Sequence, residues 1–131
     1  MKKTALLNPD LSYIIASLGH LDMLVVADAG LPIPTGPERI DLALTRNLPG
    51  FLETLRVILD EMKVEKVILA QETIQISPHI QQAITEFLPG ITMEAVPHSR
   101  FKEMTANARA VVRTGEFTPY ANVILVSGVV F

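Results

Sequence analysis

The sequence predicts a single α/β domain over residues 1–131, with a mixed sheet of about six strands flanked by helices on both faces. The length of 131 residues suits one domain with one core. Hydrophobic residues make up 49% of the chain and aromatic residues only 5%, so Leu, Ile, Val and Ala must build the core, as in helix-covered sheets. Segments with helical spacing also alternate with short apolar runs, which is the order that α/β folds require.

The first third of the chain predicts one helix and two strands. Asn8 is a good helix cap, and the apolar spacing that follows it runs as far as Gly19, where a helix would end. The continuous apolar run 24–28 predicts a strand buried on both faces. Residues 29–37 must form a loop, because they include three prolines and two glycines. Alternating apolar residues over 39–45 predict a half-buried strand.

The same two patterns predict the remaining elements. Helical spacing predicts helices over 51–62, 78–88 and 99–108. Apolar runs predict strands over 65–70, 91–96, 110–113 and 123–130. The last two strands are separated by a polar connection, which places a loop rich in hydrogen-bonding groups next to the sheet.

Charge and composition exclude several classes of function. Eleven basic and fourteen acidic residues are scattered along the chain and give a net charge of −3, so a nucleic-acid partner is not expected. The chain contains no cysteine, which excludes disulfides and thiol nucleophiles. The most apolar run, 123–131, is much shorter than the ~20 residues of a membrane helix. The basic start breaks at Pro9 and is not a signal peptide, so we expect a cytoplasmic protein with no membrane partner.

Motifs for the common cofactors are also missing. No glycine-rich dinucleotide or phosphate loop, no paired-histidine zinc motif and no nucleophile elbow is present. His20, Asp22, Asp28 and His98 are all possible metal ligands, but they lack the close spacing of a metal site. We therefore expect activity without a cofactor or metal.

Two candidate residues follow predicted elements in the first third of the chain. His20 comes just after the first helix, where it could transfer protons with Asp22 fixing its tautomer, or simply cap the helix. Asp28 ends the first strand and could bind a hydroxyl-rich ligand. Because Gly30 follows closely, Asp28 could equally form an ordinary Asx turn.

The other candidates lie in the last third of the chain. His98 follows Pro97 at a strand end, where it could contact a ligand or start the next helix. Tyr120, Ala121 and Asn122 offer a phenol, backbone groups and a carboxamide, which suit the hydroxyls of a polyol. The same three residues could also form only the turn before the last strand.

Three segments, in this order and spread over the whole length, resemble the ribose pyranase/fucose mutarotase family. They are Gly19-His20-Leu21-Asp22, Asp28-Ala29-Gly30-Leu31-Pro32 and Arg113-Thr114-Gly115-Glu116-Phe117-Thr118-Pro119-Tyr120-Ala121-Asn122. The Ala-Gly-Leu-Pro that follows Asp28 and the Thr118-Pro119 before Tyr120 are similar to the ribose branch and differ from the fucose branch.

The resemblance implies an enzyme that interconverts the β-pyranose and β-furanose forms of D-ribose without a cofactor. It implies that His20 is the proton donor. The implied sugar-binding residues are Asp28, His98, Tyr120, Ala121 and Asn122. It further implies a homo-oligomer, a decamer in this family, with sites near subunit interfaces.

Two other functions remain open from the residues alone. A non-catalytic ribose-binding accessory protein of ribose uptake would use Asp28, Tyr120 and Asn122 but would not need His20. A metal-dependent aldose–ketose isomerase would need a divalent ion and would form ribulose.

Overall fold

A six-stranded sheet organises the computed structural model, which describes all residues from Met1 to Phe131. The strands are β1 (Met23–Ala27), β2 (Glu38–Asp41), β3 (Val64–Ala70), β4 (Thr92–Val96), β5 (Ala110–Arg113) and β6 (Val123–Ser127). The helices are α1 (Pro9–Ser17), α2 (Phe51–Glu61), α3 (Gln71–Ile76), α4 (Pro78–Phe87) and α5 (His98–Thr105). None of these helices has the length and apolar character needed to cross a membrane.

The sheet is mixed, with strand order β2-β5-β1-β6-β3-β4. Only β6 runs antiparallel to its neighbours, β1 and β3. The other pairs, β2 with β5, β1 with β5 and β3 with β4, are parallel. The carboxyl ends of five strands therefore meet at one edge of the sheet, where β6 begins. We call this the carboxyl edge of the sheet. The opposite edge, where these five strands begin and β6 ends, we call the amino edge.

Helices cover both faces of the sheet, as the sequence predicts. Successive residues of a strand point to opposite faces, and β1 follows this rule: Leu24 and Val26 pack in one core cluster, Val25 and Ala27 in the other. The larger cluster includes residues of α1, α2 and α4. The smaller one includes Phe101 of α5. The predicted α/β fold is confirmed.

The start of α1 also forms as its sequence predicts. Asn8 Oδ1 accepts a hydrogen bond from the Leu11 N–H at 2.9 Å, and Pro9 occupies the first turn. This is the usual geometry of a helix N-cap followed by proline.

The structure adds one helix to the predicted elements and shortens two of the predicted strands. A fifth helix, α3, was not predicted because Ile74 and Ile76 are exposed and form no apolar stripe. The strand predicted over 39–45 ends at Asp41, since the Leu44 N–H donates to the Leu48 carbonyl and closes a turn instead. The strand predicted over 123–130 ends at Ser127, and the apolar residues after it are largely exposed.

Candidate active site

A cavity of about 290 Å³ opens at the carboxyl edge of the sheet. Its lining includes four of the candidate residues, Asp28, His98, Tyr120 and Asn122. Asp28 follows β1, His98 follows β4, and Asn122 precedes β6. Residues far apart in sequence meet here because strand ends converge at this edge, which is where open α/β sheets usually bind ligands.

Asp28 and Asn122 hold each other in the cavity wall. The Asp28 N–H donates to Asn122 Oδ1 at 2.8 Å, and Asn122 Nδ2 donates to Asp28 Oδ2 at 3.0 Å. Asp28 Oδ1 also accepts from the Gly30 N–H at 2.9 Å, so the expected Asx turn is present. A carboxylate has about four lone-pair sites. Asp28 therefore keeps acceptor capacity for a ligand, while Asn122, which is buried, fixes its orientation.

His98, which lines the same cavity, packs among aromatic rings. Its ring lies edge-on to Tyr120 with centroids 5.0 Å apart, and roughly parallel to Phe101 at 6.1 Å. Nδ1 of His98 is buried and has no hydrogen-bond partner. A buried N–H without an acceptor is costly. This favours the tautomer with its hydrogen on Nε2, which can donate to a ligand oxygen.

Tyr120 and Ala121 differ in what they can offer to a ligand. Tyr120 has φ +60°, an uncommon conformation for a residue with a side chain, and its ring lines the cavity. Ala121 is fully buried and its side chain packs in the larger core cluster. Ala121 has no exposed surface and does not line the cavity, so this structure shows no contact that it could make with a ligand.

The unpredicted helix α3 and Ser77, which follows it, hold residues of the cavity lining through three hydrogen bonds. Thr73 Oγ1 donates to the Tyr120 carbonyl and Ser77 Oγ, just after the helix, donates to the Pro119 carbonyl, each at 2.7 Å. Glu72 Oε2 accepts from the His98 N–H at 2.9 Å. The buried hydroxyls of Thr73 and Ser77 thus fix two successive carbonyls beside the strained Tyr120. Sequence reasoning missed these residues because α3 shows no helical apolar pattern.

His20 lies away from the other candidates, at the amino edge. It follows α1 and precedes β1, whereas Asp28 follows β1. The five residues of β1 that separate them span roughly 17 Å at the usual rise per residue. His20 instead lines a cavity of about 470 Å³ with the carboxyl-terminal residues 127–131. One copy of the chain therefore does not bring His20 to the cavity that holds Asp28 and His98.

The imidazole of His20 pairs with an unpredicted carboxylate. His20 Nε2 and Glu65 Oε2 lie 2.9 Å apart, and both side chains are partly exposed. Asp22, the neighbour expected to fix the tautomer, accepts from the Gly19 N–H and from Arg109. Asp22 does not fix the tautomer in this structure, because its carboxylate closes the turn around His20 and does not contact the ring.

The connection between β5 and β6 extends the site along the carboxyl edge. A second cavity of about 380 Å³ shares Asp28, Gly30 and Pro119 with the first, and Glu116 and Phe117 also line it. Burial raises the pKa of Glu116, but hydrogen bonds from the Thr118 hydroxyl and from backbone N–H groups outweigh that effect, so the net pKa lies below its usual value. One of those bonds comes from the Phe51 N–H at the start of α2.

Gly115 allows this connection to pack closely on the loop 42–50. A Cβ at position 115 would lie 2.6 Å from the Leu48 carbonyl oxygen and even closer to that of Thr45. The Gly115 N–H donates to the Pro49 carbonyl at 2.8 Å, and its own carbonyl accepts from the Asn47 N–H. Only glycine permits this approach of the two backbones.

No group of three or more His, Asp or Glu side chains lies close enough together to hold a metal ion. The functional groups suited to proton transfer at the amino edge are one imidazole and the carboxylate paired with it. At the carboxyl edge, hydrogen-bond donors and acceptors line one cavity.

Comparison with known proteins identifies the family. Residues 1–130 match the RbsD / FucU transport protein family. The chain is 61% identical to a D-ribose pyranase of Chloroflexus aggregans and 56% identical to one of Psychromonas ingrahamii, with full coverage of each chain. It superposes on Bacillus subtilis RbsD complexed with D-ribose with a TM-score of 0.96, at 47% identity and full coverage of both chains. For the fucose mutarotase of Streptococcus pneumoniae complexed with L-fucose, the TM-score is 0.75 at 28% identity, covering 95% of this chain and 94% of that one. The chain belongs to the RbsD / FucU transport protein family.

Proposed function

We propose that the chain interconverts the β-pyranose and β-furanose forms of D-ribose by opening and closing the sugar ring without a cofactor. The observation that carries the proposal is the convergence of Asp28, His98, Tyr120 and Asn122 on one cavity. The relatives named D-ribose pyranase and the similar structure that holds D-ribose support it. A free pentose is the ligand class to which these polar groups are suited.

The cavity offers both kinds of hydrogen-bonding group that sugar hydroxyls need. The Asp28 carboxylate accepts, His98 Nε2–H donates, and the Tyr120 phenol does either. The flat ring of Tyr120 also provides an apolar surface for the C–H face of the sugar. A sugar that leaves one of these groups unpaired loses binding energy, so the arrangement selects among sugars by hydroxyl geometry.

The reaction breaks one bond between C1 and oxygen and forms another, and the help it needs from the protein is proton transfer. When the pyranose opens, the bond between C1 and the ring oxygen breaks, the ring oxygen gains a proton, and the anomeric hydroxyl loses one to become the aldehyde oxygen. When the furanose closes, the C4 hydroxyl oxygen bonds to C1 and loses its proton, and the aldehyde oxygen is protonated. We assign this transfer to His20, since imidazole exchanges protons readily near neutral pH and such catalysis supplies about 10²–10⁴-fold.

We further propose that a second copy of the chain brings its His20 to the cavity. The support is the separation of His20 from Asp28 by the length of β1, together with the exposed apolar residues Leu21, Val130 and Phe131 around His20. Exposed apolar patches of this kind mark interaction surfaces. The number of copies, a decamer, rests on the family resemblance alone.

We also propose that the chain works in the cytoplasm. The proposal rests on the absence of cysteine and on a reaction that needs no oxidising compartment.

Saturation-transfer NMR on D-ribose tests the proposed activity. We expect the protein to accelerate exchange between pyranose and furanose signals, to do so in the presence of a chelator, and to form no ribulose. A parallel measurement on L-fucose should show a much smaller acceleration. Binding of ribose with no faster exchange would instead indicate the non-catalytic ribose-binding protein, and formation of ribulose that stops in chelator would indicate a metal-dependent isomerase.

Removing the Thr73 hydroxyl should loosen the sugar site without unfolding the protein. In Thr73→Val the Tyr120 carbonyl loses one donor but keeps the Asn122 N–H at 2.9 Å, so the cost to stability is about 0.5–1.5 kcal/mol. We expect KM for ribose to rise about threefold to tenfold because the strained Tyr120 is less well held. Thr73→Ser should restore the KM. Thr85→Val makes the same substitution at an exposed threonine whose hydroxyl bonds only the Gln81 carbonyl within α4, and should leave KM unchanged. An unchanged KM in Thr73→Val would contradict the role of α3.

A further inference from the structure

Glu65 forms the one side-chain hydrogen bond of the His20 imidazole. We propose that Glu65 is the positioning residue for His20: its carboxylate accepts the hydrogen of Nε2 and leaves Nδ1 free to exchange a proton with the sugar. The inference rests on the proposed function, because it assigns a partner to the residue that transfers the proton. Asp22 does not compete for the ring, since it is bonded to Gly19 and Arg109.

An irregularity in the sheet directs Glu65 to this position. In the pairing of β3 with β6, Val64 opposes Ser127 and Lys66 opposes Val126, so Glu65 is the extra residue of a bulge. Bulges change the direction of a side chain and are common beside functional sites. Gly128 follows Ser127, and a Cβ there would lie only 3.2 Å from the Cβ of Glu65. The glycine thus leaves room for the bulged residue.

The turn that carries His20 is fixed to the same end of β6. Leu21 adopts φ +70°, and its N–H donates to the Ser127 carbonyl at 2.9 Å. The Ser127 N–H donates in turn to the Asp22 carbonyl at 2.8 Å. Ser127 therefore anchors the turn of His20 and opposes the bulge of Glu65. The bulge at Glu65 and the positive φ of Leu21 together bring His20 Nε2 to 2.9 Å from Glu65 Oε2.

The pair of His20 and Glu65 is suited to proton transfer at a single ring nitrogen, Nδ1 of His20. A carboxylate that accepts from one ring nitrogen sets the tautomer and the orientation of the ring, so that the other nitrogen has a free lone pair. On opening, Nδ1 takes the proton of the anomeric hydroxyl and delivers it to the ring oxygen, which restores the neutral imidazole. On closure to the furanose, Nδ1 takes the proton of the C4 hydroxyl and delivers it to the aldehyde oxygen. The Glu65 carboxylate stabilises the imidazolium between the two transfers.

Glu65→Gln keeps the size of the side chain and removes its charge. We expect kcat for ring exchange to fall about tenfold. This is the lower end of the usual effect of replacing a residue that orients a functional side chain through a hydrogen bond. KM should change less than about twofold, because Glu65 contacts the imidazole and not the sugar. Glu65→Asp keeps the carboxylate and should retain more activity than Glu65→Gln. Because exposed ion pairs contribute little to stability, the variants should remain folded.

Glu94→Gln is the matched control. Glu94 is similarly exposed (44% against 39% for Glu65) and forms an ion pair with Lys66 on the neighbouring strand. We expect its kcat to equal that of the wild type. An equal loss of kcat in Glu94→Gln, an unchanged kcat in Glu65→Gln, or a rise of KM alone would each overturn the positioning role.

Nitrogen-15 NMR of the His20 ring provides a readout that does not depend on activity. In the neutral wild-type ring we expect one dominant tautomer with hydrogen on Nε2. Glu65→Gln should shift the two ring-nitrogen signals toward each other as the second tautomer and other ring orientations become populated. Identical spectra would overturn the inference. If the wild type failed to exchange ribose forms, the proposed function would fail, while these spectra would still test the pair.

Discussion

His20→Gln is expected to slow the catalysed exchange of ribose ring forms by about 10²–10⁴-fold, the share that general acid–base catalysis supplies. Glutamine has no group that takes up and releases a proton near neutral pH. KM should change little, because the cavity with Asp28 and His98 is left intact. The fold should survive, since His20 is 52% exposed and packs in neither core cluster. Saturation-transfer rates and a thermal melt measure the two effects.

His79→Gln serves as the control for His20→Gln. His79 is also an exposed histidine, in the first turn of α4, and lines none of the cavities described above. Its replacement should leave the exchange rate unchanged. Undiminished exchange in His20→Gln would show that another group transfers the proton.

Mixing two inactive variants is expected to restore activity if the site is shared between copies. His20→Gln lacks the proton-transfer residue and His98→Gln lacks a residue of the cavity, so each alone should have little activity. In co-expressed hybrids with random assembly, about a quarter of the sites join an intact His20 to an intact cavity. The specific activity of the mixture should therefore approach about a quarter of the wild-type value.

A second pair of variants provides the control for this experiment. Asp28→Asn and His98→Gln both alter the same cavity, so their hybrids contain no fully intact cavity and should stay inactive. If the first mixture showed only the mean activity of its two parents, each site would belong to a single chain. The position of His20 at the amino edge would then need another explanation.

The fold was largely predictable from the sequence because its four central strands, β5, β1, β6 and β3, are mostly buried on both faces. Continuous apolar runs such as 24–28 have no other stable position in a domain of this size, and capping at Asn8 marks the first helix without ambiguity. The errors fell where tertiary contacts decide the structure. The strand predicted to reach Thr45 stops because Leu48 folds back on Leu44, and this contact leaves no trace in the alternation of apolar residues.

The candidate site was predictable in its residues but not in its geometry. His20 and Asp28 are close in sequence, yet the strand between them carries them to opposite edges. Glu65 escaped notice because a bulge does not alter the apolar pattern of 65–70, and its partner is far away in the chain. Thr73 and Ser77 were not predicted, because a hydroxyl that donates to a distant carbonyl produces no regular pattern in the sequence.

The close packing at Gly115 limits how this scaffold can be redesigned. The two backbones leave no room for a side chain at that approach, and Glu116 and Thr118 already form hydrogen bonds with Phe51 and with each other. Phe117 is the exposed member of the connection, its side chain beside the second cavity and in contact with Arg46. A library intended to change sugar preference is therefore best concentrated at Phe117, because substitutions of this exposed side chain leave the hydrogen bonds that hold Tyr120 in place.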